Sequence, residues 1–130
     1  MPIGYTTDLS DIRPEQLTGF FEGWPRPPAP ERHLATLRGS YRTVIALDEE
    51  AGTIVGFVNA ISDGVLSALV PLLEVRPSYR GRGIGTELVR RLLEELEGLY
   101  SIDVVCDEGL RPFYERFGME PLLAMAIRNR

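Results

Sequence analysis

Lysine is absent from all 130 residues, so the fourteen basic side chains are all arginine. That absence excludes a Walker phosphate loop, whose last glycine is followed by Lys and then Ser or Thr. Cysteine and histidine occur once each, as Cys106 and His33. A single cysteine excludes an internal disulfide and suits a reducing compartment. With the histidine in a short predicted helix, nothing suggests a nucleophilic triad. Cys106 reads as a buried strand cysteine, His33 as a surface or structural residue, and no metal is expected. No stretch approaches the roughly 20 apolar residues of a membrane-spanning helix. Residues 1–6 carry neither the basic start nor the apolar core of a secretory leader, so a cytoplasmic location is expected. The net charge of −5 lacks the basic excess with which a nucleic-acid-binding face displaces counterions. Neither a membrane nor a nucleic acid is an expected partner.

The chain is long enough for one real core and too short for a second module, so residues 1–130 read as a single domain. Residues 14–22 carry Leu17, Phe20 and Phe21 at helical spacing, with Asp11 available as a cap, and predict a first helix. The proline-rich residues 23–30 are too stiff for a helix or a central strand. Residues 31–37 predict a short second helix with Pro30 at its first turn. Residues 43–47 and 53–61 are β-rich and joined by Asp48-Glu49-Glu50-Ala51-Gly52, a hairpin signal. A second turn at Ser62-Asp63-Gly64 leads into a strand over residues 65–75, where Pro71 predicts a bulge because it cannot donate to a ladder. Ile84, Leu88, Leu92, Leu96 and Leu99 form the apolar stripe of a helix over about residues 83–97, stopped by Gly98. Glu87 with Arg91, and Arg90 with Glu94, make i,i+4 pairs on its wet face. A strand over residues 101–106, a helix over 110–117 and a strand over 122–127 complete the pattern.

Between the strand ending at Val75 and the long helix stands Arg76-Pro77-Ser78-Tyr79-Arg80-Gly81-Arg82-Gly83-Ile84-Gly85-Thr86. A helix start leaves backbone N–H groups without intrahelical partners and carries the positive end of the macrodipole. Gly81, Gly83 and Gly85 remove side chains that would hold a phosphate away from those groups, and Arg80 and Arg82 carry guanidinium forks suited to phosphate oxygens. The spacing Gly81-x-Gly83-x-Gly85 departs from the Gly-x-Gly-x-x-Gly of dinucleotide folds. A diphosphate is the ligand such a loop would take.

The arrangement Arg80-x-x-Gly83-x-Gly85 after Val75-x-Pro77, followed by Phe113-Tyr114-Glu115-Arg116-Phe117-Gly118-Met119, resembles the coenzyme A site of the GCN5-related N-acetyltransferase (GNAT) superfamily. The resemblance covers about residues 43–119, with Met119 where an aromatic is more usual. It implies an α/β (α+β) fold: a mixed, mostly antiparallel sheet with helices on both faces, whose parallel fourth and fifth strands splay to admit the pantetheine arm. It also implies transfer of an acetyl group from acetyl-CoA directly to a primary amine of a small molecule or peptide. The alternative from another class is a non-catalytic coenzyme A-binding sensor or interaction module on the same fold.

The resemblance carries roles to particular residues. Backbone N–H groups near Leu73, Glu74 and Val75 would polarise the acetyl carbonyl. Arg80, Gly81, Arg82, Gly83, Ile84, Gly85 and Thr86 would hold the diphosphate, with Asp107 a further coenzyme ligand. Tyr114 would donate to the departing thiolate, its competing reading being a core tyrosine beside Phe113 and Phe117. The family's strand glutamate has no counterpart over residues 66–69. Glu74 is the nearest carboxylate for a general base, although it could equally pair with Arg76 or Arg80. Trp24 and Phe21 would wall the acceptor entrance, with Asn59 and Asp63 as further candidates for amine recognition. A homodimer through the last strand is an open expectation from its exposed edge.

Overall fold

The computed structural model describes residues 2–129. Five strands, β1 (Ile3–Thr6), β2 (Arg42–Asp48), β3 (Thr53–Ser62), β4 (Ser67–Val75) and β5 (Ser101–Val104), form one sheet in sequence order. The first four are antiparallel neighbours, and β4 and β5 are parallel. Helices α1 (Pro30–Arg38), α2 (Ile84–Glu95) and α3 (Arg111–Glu115) complete the mixed α/β architecture. The parallel pair is the one joined through α2, as a βαβ crossover requires.

Strands β2 and β3 are buried along most of their length because both faces of the sheet are covered. On one face Val44, Ala46, Val55 and Val58 meet Ile84, Leu88 and Leu92 of α2. On the other, Ile45, Ile54 and Phe57 meet Leu34 and Leu37 of α1 with Leu17, Phe20 and Phe21. The α2 stripe lies where its periodicity puts it, and Leu88, fully buried, would cost about 2–5 kcal/mol on truncation to alanine. Arg91 pairs with Glu87, and Arg90 with Glu94, on its exposed side.

The strand irregularity expected at Pro71 is present. Asn59 faces Leu72 and Ile61 faces Leu69, so residues 70 and 71 of β4 stand against Ala60 alone. Pairing of β4 with β5 stops at Val70 and Val104, and residues 72–75 continue with β3 on one side only. That divergence opens the cleft described below.

Several sequence expectations are corrected. Residues 14–22 are not a helix: Pro14–Leu17 is one 3₁₀ turn, and Gly19, Phe21 and Gly23 all take positive φ. Its start is held not by Asp11 but by Gln16, whose Oε1 accepts the Arg13 N–H at 2.8 Å. β1 pairs with β2 although its four residues carried no strand signal strong enough to read. β4 begins at Ser67, not residue 65, and β5 ends at Val104, leaving Cys106 beyond the strand and exposed. The last helix is shorter than residues 110–117, a 3₁₀ turn at Glu108–Leu110 leading into α3. Residues 122–127 form no strand.

Candidate active site

The site is built around the free side of β4. Arg76 donates its N–H to the Val55 carbonyl at 2.7 Å. Pairing alternates along an antiparallel ladder, so Glu74 faces β3 with its backbone groups while Leu73 and Val75 turn theirs toward the missing β5 partner. Arg80 supports the assignment, its Nε donating to the Val75 carbonyl at 2.9 Å. The Leu73 and Val75 N–H groups thus open into a cleft of about 630 Å³.

The far wall of that cleft is the start of α2. Gly83 precedes the helix at φ 81° and Gly81 stands at φ 77°, a left-handed region that disfavours side chains. A Cβ at either position would meet no protein atom within 4 Å, so both glycines leave open space above the first-turn N–H groups. Those groups have no intrahelical acceptors and point with the positive end of the helix dipole. Gly83, Ile84, Gly85 and Thr86 all line the cleft, with Gly81, Arg80, Leu73, Glu74 and Val75. The arrangement offers the donors and the open space that a diphosphate on a narrow arm needs, and the residues present fit coenzyme A.

The cradle is braced by a residue that also lines the cleft. Tyr79, in the 3₁₀ turn Pro77–Tyr79, donates its hydroxyl to Asp48 Oδ2 at 2.7 Å. The same carboxylate accepts the Glu50 and Ala51 N–H groups of the β2–β3 hairpin, and these bonds hold its pKa below the usual carboxylate value.

Tyr114 closes the cleft from α3, only 7% exposed, with its ring edge-on to Phe113 at 4.9 Å. Burial pushes its phenol above the ordinary tyrosine pKa, reinforced by Cys106, so it stays protonated at neutral pH. Leu110, Phe113 and Arg116 line the same wall; Phe113 and Arg116 belong to the segment that resembles the coenzyme A site, but the sequence reading gave none of the three a role of its own. Arg116 donates to Thr86 Oγ1 at 3.2 Å, placing a second guanidinium beside the helix start. The signal was its position two residues after Tyr114.

Glu74 faces the loop that follows the first 3₁₀ turn. Its Oε1 accepts the Phe21 N–H at 2.7 Å and its Oε2 the Glu22 N–H at 3.3 Å. Phe21, at φ 67°, is the only described non-glycine residue with positive φ. Arg76 grips the same segment, donating to the Thr18 and Gln16 carbonyls and lying 4.1 Å over the Phe20 ring. Arg80 joins the loop through an ion pair with Glu22 at 3.0 Å, so the sequence alternatives for Glu74 resolve differently: Arg80 pairs with Glu22.

The remaining candidates lie elsewhere. Phe21 is buried against His33 and Phe57, and Trp24, half exposed, packs on Phe21 at 5.0 Å. Neither lines the cleft, although Glu74 connects their loop to it. Asn59 is fully buried, donating to Ser40 Oγ at 2.9 Å, and Asp63 organises the β3–β4 turn by accepting the Val65 and Leu66 N–H groups. Arg82 lies 5.3 Å over the Tyr79 ring outside the cleft lining, and Asp107 precedes the 3₁₀ turn, its carbonyl accepting the Leu110 N–H. His33 is not a surface residue: it is fully buried among Phe20, Phe21 and Phe57. Burial, then the nearby Arg76 charge, lower its pKa to about 4. Among the described residues no cluster of His, Cys, Asp or Glu could hold a metal, and no helix is long and apolar enough to cross a membrane.

A mixed sheet with a splayed parallel pair, a glycine cradle on a helix start and a buried phenol opposite define the coenzyme-binding core of an acyltransferase fold. Residues 9–119 match the model of the acetyltransferase (GNAT) family, and the chain belongs to that family. The crystal structure of a candidate acetyltransferase from Deinococcus radiodurans R1 superposes with a TM-score of 0.93 at 48% identity, covering 97% of this chain and 87% of that one. A GNAT family protein from Streptococcus pneumoniae TIGR4 gives 0.77 at 26% identity, covering 99% and 98%. The GCN5-related N-acetyltransferase 3, chloroplastic, of Arabidopsis thaliana is 35% identical over 80 residues, 60% of this chain. The chain spans only 34% of that relative's length.

Proposed function

We propose that this protein transfers an acetyl group from acetyl-CoA directly to the primary amine of a small molecule or peptide. The observation that carries the reading is the convergence on one cleft of the α2 start, the free Leu73 and Val75 N–H groups and the Tyr114 phenol. The α2 start and Arg116 would hold the diphosphate, and residues 71–75 would pair with the amides of the pantetheine arm.

The Leu73 and Val75 N–H groups polarise the acetyl carbonyl as the amine attacks, stabilising charge on its oxygen. The new C–N bond forms, the C–S bond breaks, and Tyr114 gives its proton to the departing thiolate. The amine proton leaves to water, and water returns a proton to the Tyr114 phenolate, so the protein ends the cycle unchanged. Glu74, both of whose oxygens are engaged by loop amides, serves as a positioning residue that sets the acceptor side of the cleft. Trp24 and Phe21 on that loop shape the approach to it.

The test is isothermal titration with acetyl-CoA, dephospho-CoA and ATP, followed by an amine screen read by thiol release. Micromolar acetyl-CoA binding with amine-dependent thiol release supports the enzyme. Tight binding without turnover on any amine would favour a coenzyme A sensor, a reading to which the engagement of Glu74 lends weight. No acetyl-CoA binding would overturn both.

A further inference from the structure

Arg80 lines the cleft with its guanidinium already committed on two sides. Its Nε donates to the Val75 carbonyl at 2.9 Å, and its Nη2 pairs with Glu22 Oε2 at 3.0 Å. Val75 belongs to the part of β4 that has parted from β5, so its carbonyl is a group with which a coenzyme arm would pair. A side chain of the protein therefore caps an acceptor that the ligand needs. The cap is weak, because Arg80 and Glu22 are both about half exposed and water competes for such pairs.

Glu22 ties this contact to the loop carrying Trp24. Its N–H donates to Glu74 Oε2 at 3.3 Å, beside the Phe21 bond to the same carboxylate. The Phe21 carbonyl in turn accepts the Trp24 N–H at 3.1 Å, and the two rings pack at 5.0 Å. Glu74 and Arg76 hold backbone groups of the loop and its approach, whereas Arg80 holds a charged side chain in contact with solvent. Of these holds, the one made by Arg80 can be released while the loop keeps its backbone bonds.

We propose that Arg80 and Glu22 form an autoinhibitory latch: the free protein covers its Val75 carbonyl with Arg80, and coenzyme A binding draws the guanidinium to the diphosphate and frees Glu22. The inference rests on the acetyl-CoA reading of the cleft. A guanidinium exchanges a carboxylate for phosphate oxygens without giving up charge-assisted bonding, so the two states are close in energy. The latched fraction lowers the apparent coenzyme affinity in proportion. Linkage makes the effect reciprocal: whatever loosens the Glu22 side of the loop tightens coenzyme binding, and coenzyme binding loosens that side by the same factor.

Trp24 is the chain's one tryptophan and lies outside the cleft lining, so its fluorescence reports the loop directly. Calorimetry and Trp24 emission with acetyl-CoA test the latch on the wild type, Glu22→Gln, Arg80→Ala and the double variant; both positions are exposed, so the variants should fold. Saturating acetyl-CoA should shift the wild-type emission, and Glu22→Gln should show most of that shift with no ligand present. Glu22→Gln should also bind acetyl-CoA about 2- to 5-fold more tightly, the scale of an exposed ion pair. In the Arg80→Ala background that gain should vanish, whereas mere relief of negative charge would persist there. A gain that is absent, or equal in both backgrounds, overturns the latch and leaves the transfer reading standing. So does a Trp24 emission unmoved by acetyl-CoA that calorimetry shows to be bound. Absence of acetyl-CoA binding overturns the transfer reading and the latch together.

Discussion

The Glu74 carboxylate accepts the Phe21 N–H at 2.7 Å, joining the fourth strand to a loop 53 residues earlier in the chain. The bond fastens Phe21 in its left-handed conformation, a strained state that persists only where surroundings over-determine it. It also connects the coenzyme cleft, lined by Glu74, to the segment carrying Trp24.

If Glu74 acts by positioning, Glu74→Gln should retain transfer to within about 10-fold, since its amide oxygen can still accept the short Phe21 bond and only the longer Glu22 bond loses its acceptor. Glu74→Ala releases the loop and should lower acceptor kcat/KM by roughly 100-fold with acetyl-CoA affinity little changed. Steady-state kinetics of the two variants across pH make the comparison. Equal losses, together with disappearance of the acid limb of the pH profile, would instead make Glu74 the general base.

Replacing the Tyr114 hydroxyl by hydrogen should leave acetyl-CoA binding unchanged and lower kcat by about 100-fold or more, the contribution of a positioned acid. Calorimetry and stopped-flow thiol release on Tyr114→Phe check both halves. An unaltered rate would return Tyr114 to the role of a core aromatic.

Gly83→Glu should abolish acetyl-CoA binding by placing bulk and negative charge where the proposed diphosphate would sit. Gly83→Ala separates the backbone effect: the position lies at φ 81°, so an added Cβ should cost about 1–2 kcal/mol of stability by denaturant unfolding. Undiminished affinity in the glutamate variant would refute the cradle.

His33 makes stability depend on pH. Its folded pKa of about 4 lies below the ordinary 6.5, so the unfolded chain binds the proton more tightly. Stability is therefore full above pH 6.5 and declines as pH falls toward 4, flattening once both states are protonated. The lowered carboxylates Asp48, Asp63 and Glu87 start from ordinary values of 3.8 to 4.5 and add their losses at lower pH. Thermal melts of wild type and His33→Leu should show the upper part of this slope in the wild type alone.

Local patterns determined much of this protein. The α2 stripe, the β2–β3 hairpin and the Pro71 bulge rest on side-chain periodicity and missing donors, which act over a few residues. The glycine loop was equally legible, because a helix start needs no distant partner to attract an anion. Tertiary structure decided the rest. Leu17, Phe20 and Phe21 have helical spacing and do reach one core, but Glu74 and Arg76 take the backbone groups of their segment and hold it as a strained loop. His33 is buried because three rings from separate elements close around it. β1 exists because it pairs along the β2 edge, whereas residues 122–127, as strand-like in composition, form no ladder with any described strand. Composition sets a preference for strand; a partner for its hydrogen bonds decides whether one forms.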